Sequence, residues 1–523
     1  MSVNSQDLQT QAEENPLSTV FYLLSTTEKD SKVEQKACLA KSLAKAARFT
    51  EIEDAARMAE NGSYVDVEFV AVANELITNG KRKKASQFVS FLVNRFGDDS
   101  YRLQMVLKPL IRLGRDEEAL QIIAKFDDSD KVDGSFALAK IYLENRQPQK
   151  ALSVISNITN LVDKSIYGED KADLGLYYAK LGKEAEALRF SRESMKDVTW
   201  TSGKPEYTEG RIIDRVVETY KILGKDKDVS ELLSKQGVSE DPVSVIERAE
   251  HYLSQGNRQK VGELLGELQK TLNPSEYWDS IDLGRLVDIY LKLGDVEKAE
   301  RLVKGLTGSN YVLRQGLLNI ADFYIKRKNK TKTLEILDFA LEQAKKIDIS
   351  EPESGLLSTS GKWDKAQYQS QIAVRLIDMR FDNQALRLIS QIQKPYLRTL
   401  ALTEFVAVNK KRFSSSKLRP YLEEALLLLR RKKTDVFDSK KFDVYAITAR
   451  NFAEIRMNEK ANEVFTEALS SLDKEMIEDG SDNSLLFAMC NIGVEFERSK
   501  IKSDEQLKTS LRNIISHWQN EDY

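Results

Sequence analysis

The sequence predicts an all-α chain, a right-handed superhelix (α-solenoid) of about 11 or 12 antiparallel helix pairs. Three observations support this. Pro and Gly are few, 9 and 24 among 523 residues, and such a composition favours helix. The segment DLGLYYAKLGKEAEALRF from Asp173 parallels DLGRLVDIYLKLGDVEKAERLV from Asp282. One register of turn, small and aromatic residues recurs along the chain.

The register has a turn residue after an apolar helix and a second helix that follows it. The predicted turn residues are Gly80, Gly114, Arg146, Gly182, Gly224, Gly256, Gly294 and Lys328. Five positions later come Ala85, Ala119, Ala151, Ala187, Val229, Val261, Ala299 and Thr333. Glycine readily takes the left-handed conformation that ends a helix, and small side chains let two helices approach. The register therefore predicts helix-turn-helix pairs.

Aromatic and small residues complete each unit. Four positions before six successive turns stand Tyr142, Tyr178, Tyr220, Tyr252, Tyr290 and Tyr324. Seven positions before the turn the residue is usually small, as at Ala73, Ala139, Gly175, Ala249 and Ala321. This L-G-x-x-Y-x-x-x-G-x-x-x-x-A pattern resembles the tetratricopeptide repeat, a unit of ~34 residues. The resemblance implies stacked helix pairs whose first helices line a concave, peptide-binding groove. Arg146 and Lys328 depart from the pattern at turn positions.

The register also suggests how the chain is divided. We expect a disordered or frayed N-terminus over 1–15 and a helical repeat array over 16–345, with the clearest units at 69–345. A loop or bend is expected over 346–366. Degenerate repeats and C-terminal capping helices should occupy 367–523, where Ala385 and Ala461 fit the second-helix position.

Catalytic and metal-binding patterns are missing from the sequence. His251 and His517 are the two histidines, and they lie far apart. Cys38 and Cys490, near opposite ends, stand in apolar helical segments, which favours buried inert thiols in a reducing compartment. We therefore expect no enzymatic activity, no cofactor, no metal, no membrane span and a cytoplasmic location.

Charge gives little indication of a nucleic-acid partner. The 79 basic and 82 acidic residues leave a net charge of −3. Basic runs begin at Lys81, Lys326, Lys410 and Arg430. They lie at predicted helix ends, where cations interact favourably with the helix dipole, and no aromatic stacking platform is interleaved with them. Nucleic-acid binding is therefore disfavoured.

The groove-facing positions suggest a binding strip. Six residues before four successive turns stand Glu218, Glu250, Asp288 and Asp322, which would receive basic side chains of a partner. The alternative is pairing within the array. Lys292 and Lys326 lie four residues after Asp288 and Asp322, and Arg211, Arg215 or Arg285 could neutralise the strip across repeats.

Three long inter-pair segments offer a second candidate surface. They contain Trp200, Trp278 and Trp363, and loops longer than a connection needs are often functional. The alternative is that each tryptophan packs its loop onto adjacent helices.

The favoured function is a non-catalytic scaffold or adaptor that binds a protein or peptide partner, through a basic segment of that partner, in the groove of the array. A peptide- or ligand-sensing regulatory module is the alternative, and a nucleic-acid-binding helical array is less favoured.

Overall fold

The computed structural model divides the chain into two compact units. We call Ile77–Gly305 the middle unit, and Met1–Leu76 with Leu306–Tyr523 the terminal unit. The structure describes residues 5–26, 33–46, 48, 51–59, 63–165, 167–198, 207–235, 245–246, 249–250, 252–253, 256–271, 280–305, 311–347, 361–431, 438–479 and 482–520.

Every regular element in these ranges is helical. The first part of the chain forms α1 (Ser5–Ala12), α2 (Pro16–Ser25), α3 (Val33–Lys45), α4 (Ile52–Met58), α5 (Ser63–Thr78), α6 (Arg82–Phe96), α7 (Ser100–Leu113), α8 (Asp116–Ala124), α9 (Asp128–Glu144) and α10 (Pro148–Lys164). Next come α11 (Gly168–Lys180), α12 (Glu184–Ser194), a 3-10 turn (Met195–Asp197), α13 (Tyr207–Ile222), α14 (Asp226–Lys235), α15 (Arg258–Thr271), α16 (Ser280–Leu293) and α17 (Val296–Lys304). The remainder forms α18 (Tyr311–Lys326), α19 (Lys330–Lys345), α20 (Gly361–Asp378), α21 (Asp382–Gln391), α22 (Pro395–Asn409), α23 (Ser415–Leu429), α24 (Asp438–Glu454), α25 (Asn458–Asp479), α26 (Asp482–Ser499) and α27 (Glu505–Asn520).

The turns between paired helices confirm the register. All eight predicted turn residues have a positive φ, between 57° at Arg146 and Lys328 and 82° at Gly294. After seven of the eight turn residues, the amide of the next residue closes the helix end, as where Lys183 N–H donates to Tyr178 O at 2.8 Å. The chain is therefore built from tetratricopeptide-like helix pairs, as the pattern indicated.

The core lies where paired helices meet. All eight residues five positions after the turns are fully buried, including Val229, Val261 and Thr333. Of the six register tyrosines, five are buried and Tyr220 is half-buried. At Gly175 an added Cβ would lie 3.1 Å from Ser191 Oγ, so α11 and α12 approach at a distance that suits glycine.

The register continues past residue 345 with arginine and lysine at its turns. Arg380, Arg456 and Lys500 have φ of 66°, 64° and 56° and separate α20 from α21, α24 from α25, and α26 from α27. Ala385 and Ala461, five residues after the first two, are fully buried, as the sequence indicated. Positive φ is unfavourable for residues with a side chain, so glycine is the residue expected at such turns. Because arginine and lysine replace glycine here, the repeat is hard to recognise in this part of the sequence.

Two of the expected segments contain helix. Within residues 1–15, predicted to be disordered or frayed, α1 is helical, Ala12 is fully buried, and Asn15 caps α2 by accepting a hydrogen bond from the Leu17 amide at 2.9 Å. The expected bend over 346–366 overlaps α20, which begins at Gly361.

The terminal unit brings the two ends of the sequence together. Helices α2 and α3 pack against α26, and α2 also packs against α27. Asn15 Nδ2 donates to Glu497 Oε1 at 2.8 Å, and the Arg48 guanidinium lies 3.4 Å from the same carboxylate. The C-terminal helices are therefore covered by the N-terminal ones, an arrangement that the repeat pattern did not indicate.

Candidate partner-binding site

The first helices of the middle unit carry a polar stripe. Positions 13, 9, 6 and 2 residues before each turn fall on one side of a helix, because these spacings repeat with its period. On α11 the stripe is Glu169, Asp173, Leu176 and Lys180. Neighbouring first helices face each other through these positions.

Ion pairs connect the stripes of α11 and α13. The pairs are Arg211 with Glu169 at 2.7 Å, Arg215 with Asp173 at 2.7 Å, and Lys180 with Glu218 at 3.0 Å. Burial raises the pKa of Asp173, and the Arg215 guanidinium acts in the opposite direction. All these side chains remain partly exposed, so the stripe is a surface of alternating charge.

The predicted acidic strip is largely paired across repeats. Glu250 accepts two hydrogen bonds from Arg285, at 3.1 and 2.6 Å, and Glu218 lies 3.5 Å from Arg215 besides its contact with Lys180. Asp288, half-buried on α16, is also engaged. The cross-repeat alternative is thus present at Glu218 and Glu250, whereas Arg211 contacts Glu169 instead.

Asp322 belongs to the terminal unit and has its own arginine. It accepts hydrogen bonds from Arg375 Nε and Nη2 of α20 at 2.8 and 2.7 Å. This bidentate pair joins the first helices of successive pairs, as the Glu250–Arg285 pair does in the middle unit.

A separate group of carboxylates lies at the N-terminal ends of α9 and α11. We call Asp130, Asp133, Glu169 and Asp170 the acidic edge. The two helices are neighbours, since the Phe136 and Tyr177 rings stack with centroids 5.1 Å apart and Tyr177 Oη donates to Phe136 O. Burial raises the pKa of Asp133, and the charges of Asp170, Asp130 and Glu169 raise it further.

Neutral hydroxyls hold two members of the acidic edge. Ser100 Oγ donates to Asp130 at 2.5 Å, and Ser165 Oγ donates to Asp170 at 2.7 Å. A hydroxyl satisfies a lone pair but leaves the negative charge in place. Glu169 alone among the four has a recorded cationic partner, Arg211, within the described residues.

Two exposed tyrosines flank the acidic edge. Tyr101, the second residue of α7, is 66% exposed, and Tyr167, immediately before α11, is 65% exposed. Large aromatic side chains with a polar tip are favoured in protein interfaces. The edge therefore combines unneutralised carboxylates with accessible rings.

The sequence pattern did not indicate this edge. The acidic strip was predicted from the position six residues before each turn, whereas Tyr101 and Asp133 stand 13 residues before Gly114 and Arg146. Applying the same register to that position would have found both.

The tryptophan surface stays a prediction. Trp200 and Trp278 lie outside the described residues, and for Trp363 only the backbone is described. That backbone is helical, in the first turn of α20, so Trp363 does not stand in a loop.

The basic runs contribute cations to the fold. Arg327 lies over the Phe323 ring at 3.5 Å, Lys410 contacts Glu454 at 2.8 Å, and Arg430 contacts Glu467 at 2.6 Å. In three of the four basic runs, one cation therefore has a contact within the fold that does not involve nucleic acid.

The structure describes one of the two histidines. His517 Nδ1 lies 2.8 Å from Asp473 Oδ1, and the side chain of His251 is outside the described residues. Among the described residues, no three His, Cys, Asp or Glu side chains are arranged so that they could hold a metal ion. Within the same ranges, no helix has the length and apolar character required to cross a membrane.

No protein-family model and no curated protein matches the sequence. Many solved structures resemble it, and three of them serve as examples. Ton1535 from Thermococcus onnurineus NA1 is 16% identical, with a TM-score of 0.25, over 74% of this chain and 98% of that one. The structure of Naa15/Naa10 bound to HypK-THB is 11% identical, with a TM-score of 0.29, over 81% of this chain and 68% of that one. The pentatricopeptide repeat protein PPR10 from maize is 13% identical, with a TM-score of 0.30, over 99% of this chain and 81% of that one. At these TM-scores the likenesses do not bear on function, and the fold assignment rests on the helix pairs themselves.

Proposed function

We propose that this chain is a non-catalytic scaffold that binds a protein partner with a basic segment at the acidic edge of the middle unit. The observation that supports this is Asp133, an exposed carboxylate whose pKa is raised by partial desolvation and by the charges of Asp170, Asp130 and Glu169. Such an arrangement costs folding free energy at neutral pH, and a cationic side chain of a partner would relieve it.

Helix stability alone does not account for the edge. Asp130, Glu169 and Asp170 lie in the first turns of α9 and α11, where a carboxylate interacts favourably with the helix dipole. Asp133 is the sixth residue of α9, beyond that first turn. Its charge therefore gains little from the helix and adds repulsion to the edge.

The strip at Glu218 and Glu250 forms the second part of the proposal. Its carboxylates are half exposed, but they form ion pairs with Arg215, Lys180 and Arg285. We expect it to add to the affinity of a basic partner less than the acidic edge does, because each new contact competes with an existing pair.

The cytoplasmic location belongs to the same proposal, supported by two cysteines that are present as free thiols.

The test is a comparative affinity purification from the source cells, with quantitative mass spectrometry of the bound proteins. The variant Asp133→Asn/Asp170→Asn removes two charges from the edge and should lose the specific partner. The matched control is Asp116→Asn, since Asp116 follows the Gly114 turn, at the opposite end of its helix pair, and contacts Lys150 at 2.6 Å. Equal recovery by the edge variant and the wild type would contradict the proposal.

The other function classes predict different outcomes. A nucleic-acid-binding array would retain RNA or DNA, and removing acidic charge would strengthen that binding. A ligand-sensing module would bind a small molecule and keep its protein interactions in the edge variant.

A further inference from the structure

The fold brings the two cysteines of the sequence into contact. Cys38 lies on α3 and Cys490 on α26, and these helices pack against each other in the terminal unit. Each thiol shifts the pKa of the other, so the two sulfurs are neighbours across this helix contact. In the sequence the two cysteines stand near opposite ends of the chain, and inert thiols were predicted because nothing in the repeat pattern pairs α3 with α26.

The two sulfurs differ in access. Cys490 is fully buried, whereas Cys38 is half-buried and lines an open cavity of about 380 Å³. Lys41 and Lys45, one and two turns after Cys38, line the same cavity. A small polar oxidant can therefore reach Cys38 first, close to two ammonium groups.

The surroundings also shift the pKa values of the two thiols in opposite directions. The hydrogen bond with Cys490 lowers the pKa of Cys38; Ser42, Lys41 and Lys45 lower it further, and burial opposes them. For Cys490 the hydrogen bond with Cys38 and complete burial raise the pKa. Cys38 is thus favoured as the thiolate and Cys490 as the thiol.

We propose that Cys38 and Cys490 form a reversible intramolecular disulfide in response to a peroxide, crosslinking α3 to α26. Cys38 would be the residue attacked first and Cys490 the resolving residue. This modification site is independent of the acidic edge, which lies in the middle unit.

The chemistry balances in two steps. The Cys38 thiolate attacks one oxygen of hydrogen peroxide, the O–O bond breaks, and the departing hydroxide takes up a proton to become water, leaving Cys38 as a sulfenic acid. The Cys490 sulfur then attacks the Cys38 sulfur, and the sulfenic hydroxyl leaves as water with the proton that Cys490 loses. Two thiols are oxidised to one disulfide, and a dithiol reductant reverses the reaction.

The consequence is a covalent connection between the two ends of the chain. In the reduced protein α2 and α3 are held on α26 by packing and by polar contacts such as Asn15 with Glu497. A disulfide closing so long a loop restricts the unfolded chain strongly. Oxidation should therefore raise the Tm of the terminal unit and slow amide exchange in α2, α3 and α26.

The experiment uses the full-length reduced protein titrated with hydrogen peroxide. Non-reducing electrophoresis should show a faster-migrating monomer that dithiothreitol converts back, and peptide mass mapping should find Cys38 joined to Cys490. Both thiols should become resistant to alkylation together. Cys38→Ser should abolish the reaction at low peroxide, and Cys490→Ser should stop at a Cys38 sulfenic acid that a dimedone probe captures.

Three results would overturn the proposal. In the first, both thiols stay free under native conditions at peroxide concentrations that oxidise glutathione. In the second, crosslinks form only between chains. In the third, Cys38 of the wild type is over-oxidised without forming a disulfide. Because Cys490→Ser places a hydroxyl in a fully buried position, Cys490→Ala serves as a second variant, with folding checked by circular dichroism.

Discussion

Gly493 of α26 lies directly against Leu17 of α2. A Cβ at residue 493 would stand 2.5 Å from Leu17 Cγ and 2.9 Å from Leu17 N. Because one of these atoms belongs to the backbone, a side-chain rotation cannot make room. The approach of the N-terminal helices to the C-terminal ones thus depends on the absence of a side chain at this position.

We expect Gly493→Ala to destabilise the terminal unit by about 1–3 kcal/mol, the usual cost of inserting a methyl group into a packed contact. Hydrogen exchange should speed up mainly in α2 and α26. The measurement is thermal unfolding combined with exchange mass spectrometry.

The matched control is Gly262→Ala in α15, where an added Cβ meets nothing within 4 Å. Alanine in a helix interior should stabilise the chain by roughly 0.5–1 kcal/mol. A loss of similar size in both variants would show that the Gly493 contact has no special role.

Arg146→Gly should stabilise the middle unit by about 1 kcal/mol. The arginine holds φ at 57°, a conformation that costs a residue with a Cβ more than it costs glycine. The reverse change, Gly294→Arg at φ 82°, should destabilise by a similar amount. Urea denaturation of both variants checks the signs, and stabilisation by the second change would refute the argument.

The pH dependence of folding should reveal the strain at Asp133. Its pKa in the folded chain is raised above the ordinary 3.8, because the carboxylate is partly desolvated and lies near the charges of Asp170, Asp130 and Glu169. The folded state therefore binds the proton more tightly than the unfolded state. The resulting stabilisation is fully present below the ordinary value and is lost as the pH rises through the folded pKa.

Asp133→Asn should accordingly stabilise the chain at pH 7, by a few tenths of a kcal/mol for so exposed a site, with the gain disappearing near pH 3. Asp116→Asn should act in the opposite direction at pH 7. Burial raises the pKa of Asp116, but the hydrogen bonds from Lys150 and Tyr142 and the charge of Lys150 together outweigh burial, and the pKa is lowered. Chemical denaturation at several pH values gives both signs. A destabilising Asp133→Asn would remove the basis for treating the acidic edge as a binding site.

The repeat register could be read from the sequence because it is local. A turn, a small residue five positions later and a tyrosine four positions earlier are set by contacts within one helix pair or with the next one. The packing of α2 and α3 on α26 is set by contacts between distant segments, and no periodicity records it. Gly493 looks like any helical glycine until Leu17 is placed beside it, and the proximity of Cys38 to Cys490 is equally invisible in the linear sequence.

The register also could not predict which side chains form ion pairs. It places Glu218 and Glu250 on the same face of their helices, but whether such a carboxylate is already paired depends on the side chains of the neighbouring first helix. Arg285 stands nine residues before its turn and Glu250 six before its own, so the pair forms only when the two helices are aligned.

The last prediction separates a strip that contacts a partner from one that only holds the array together. Arg285→Gln removes the guanidinium from Glu250 while keeping a polar side chain of similar length. If the strip receives a basic partner, this change should tighten binding about twofold to fivefold, since the partner no longer competes with an internal pair worth roughly 0.2–1 kcal/mol. The salt dependence of binding should steepen as well, because one more carboxylate becomes available.

Glu218→Gln with Glu250→Gln in the same chain should weaken binding by a comparable factor. Titration calorimetry with the purified partner at two salt concentrations measures both effects. Unchanged affinity in both variants, with the helical content intact, would assign the strip to array stability alone and leave the acidic edge as the contact surface.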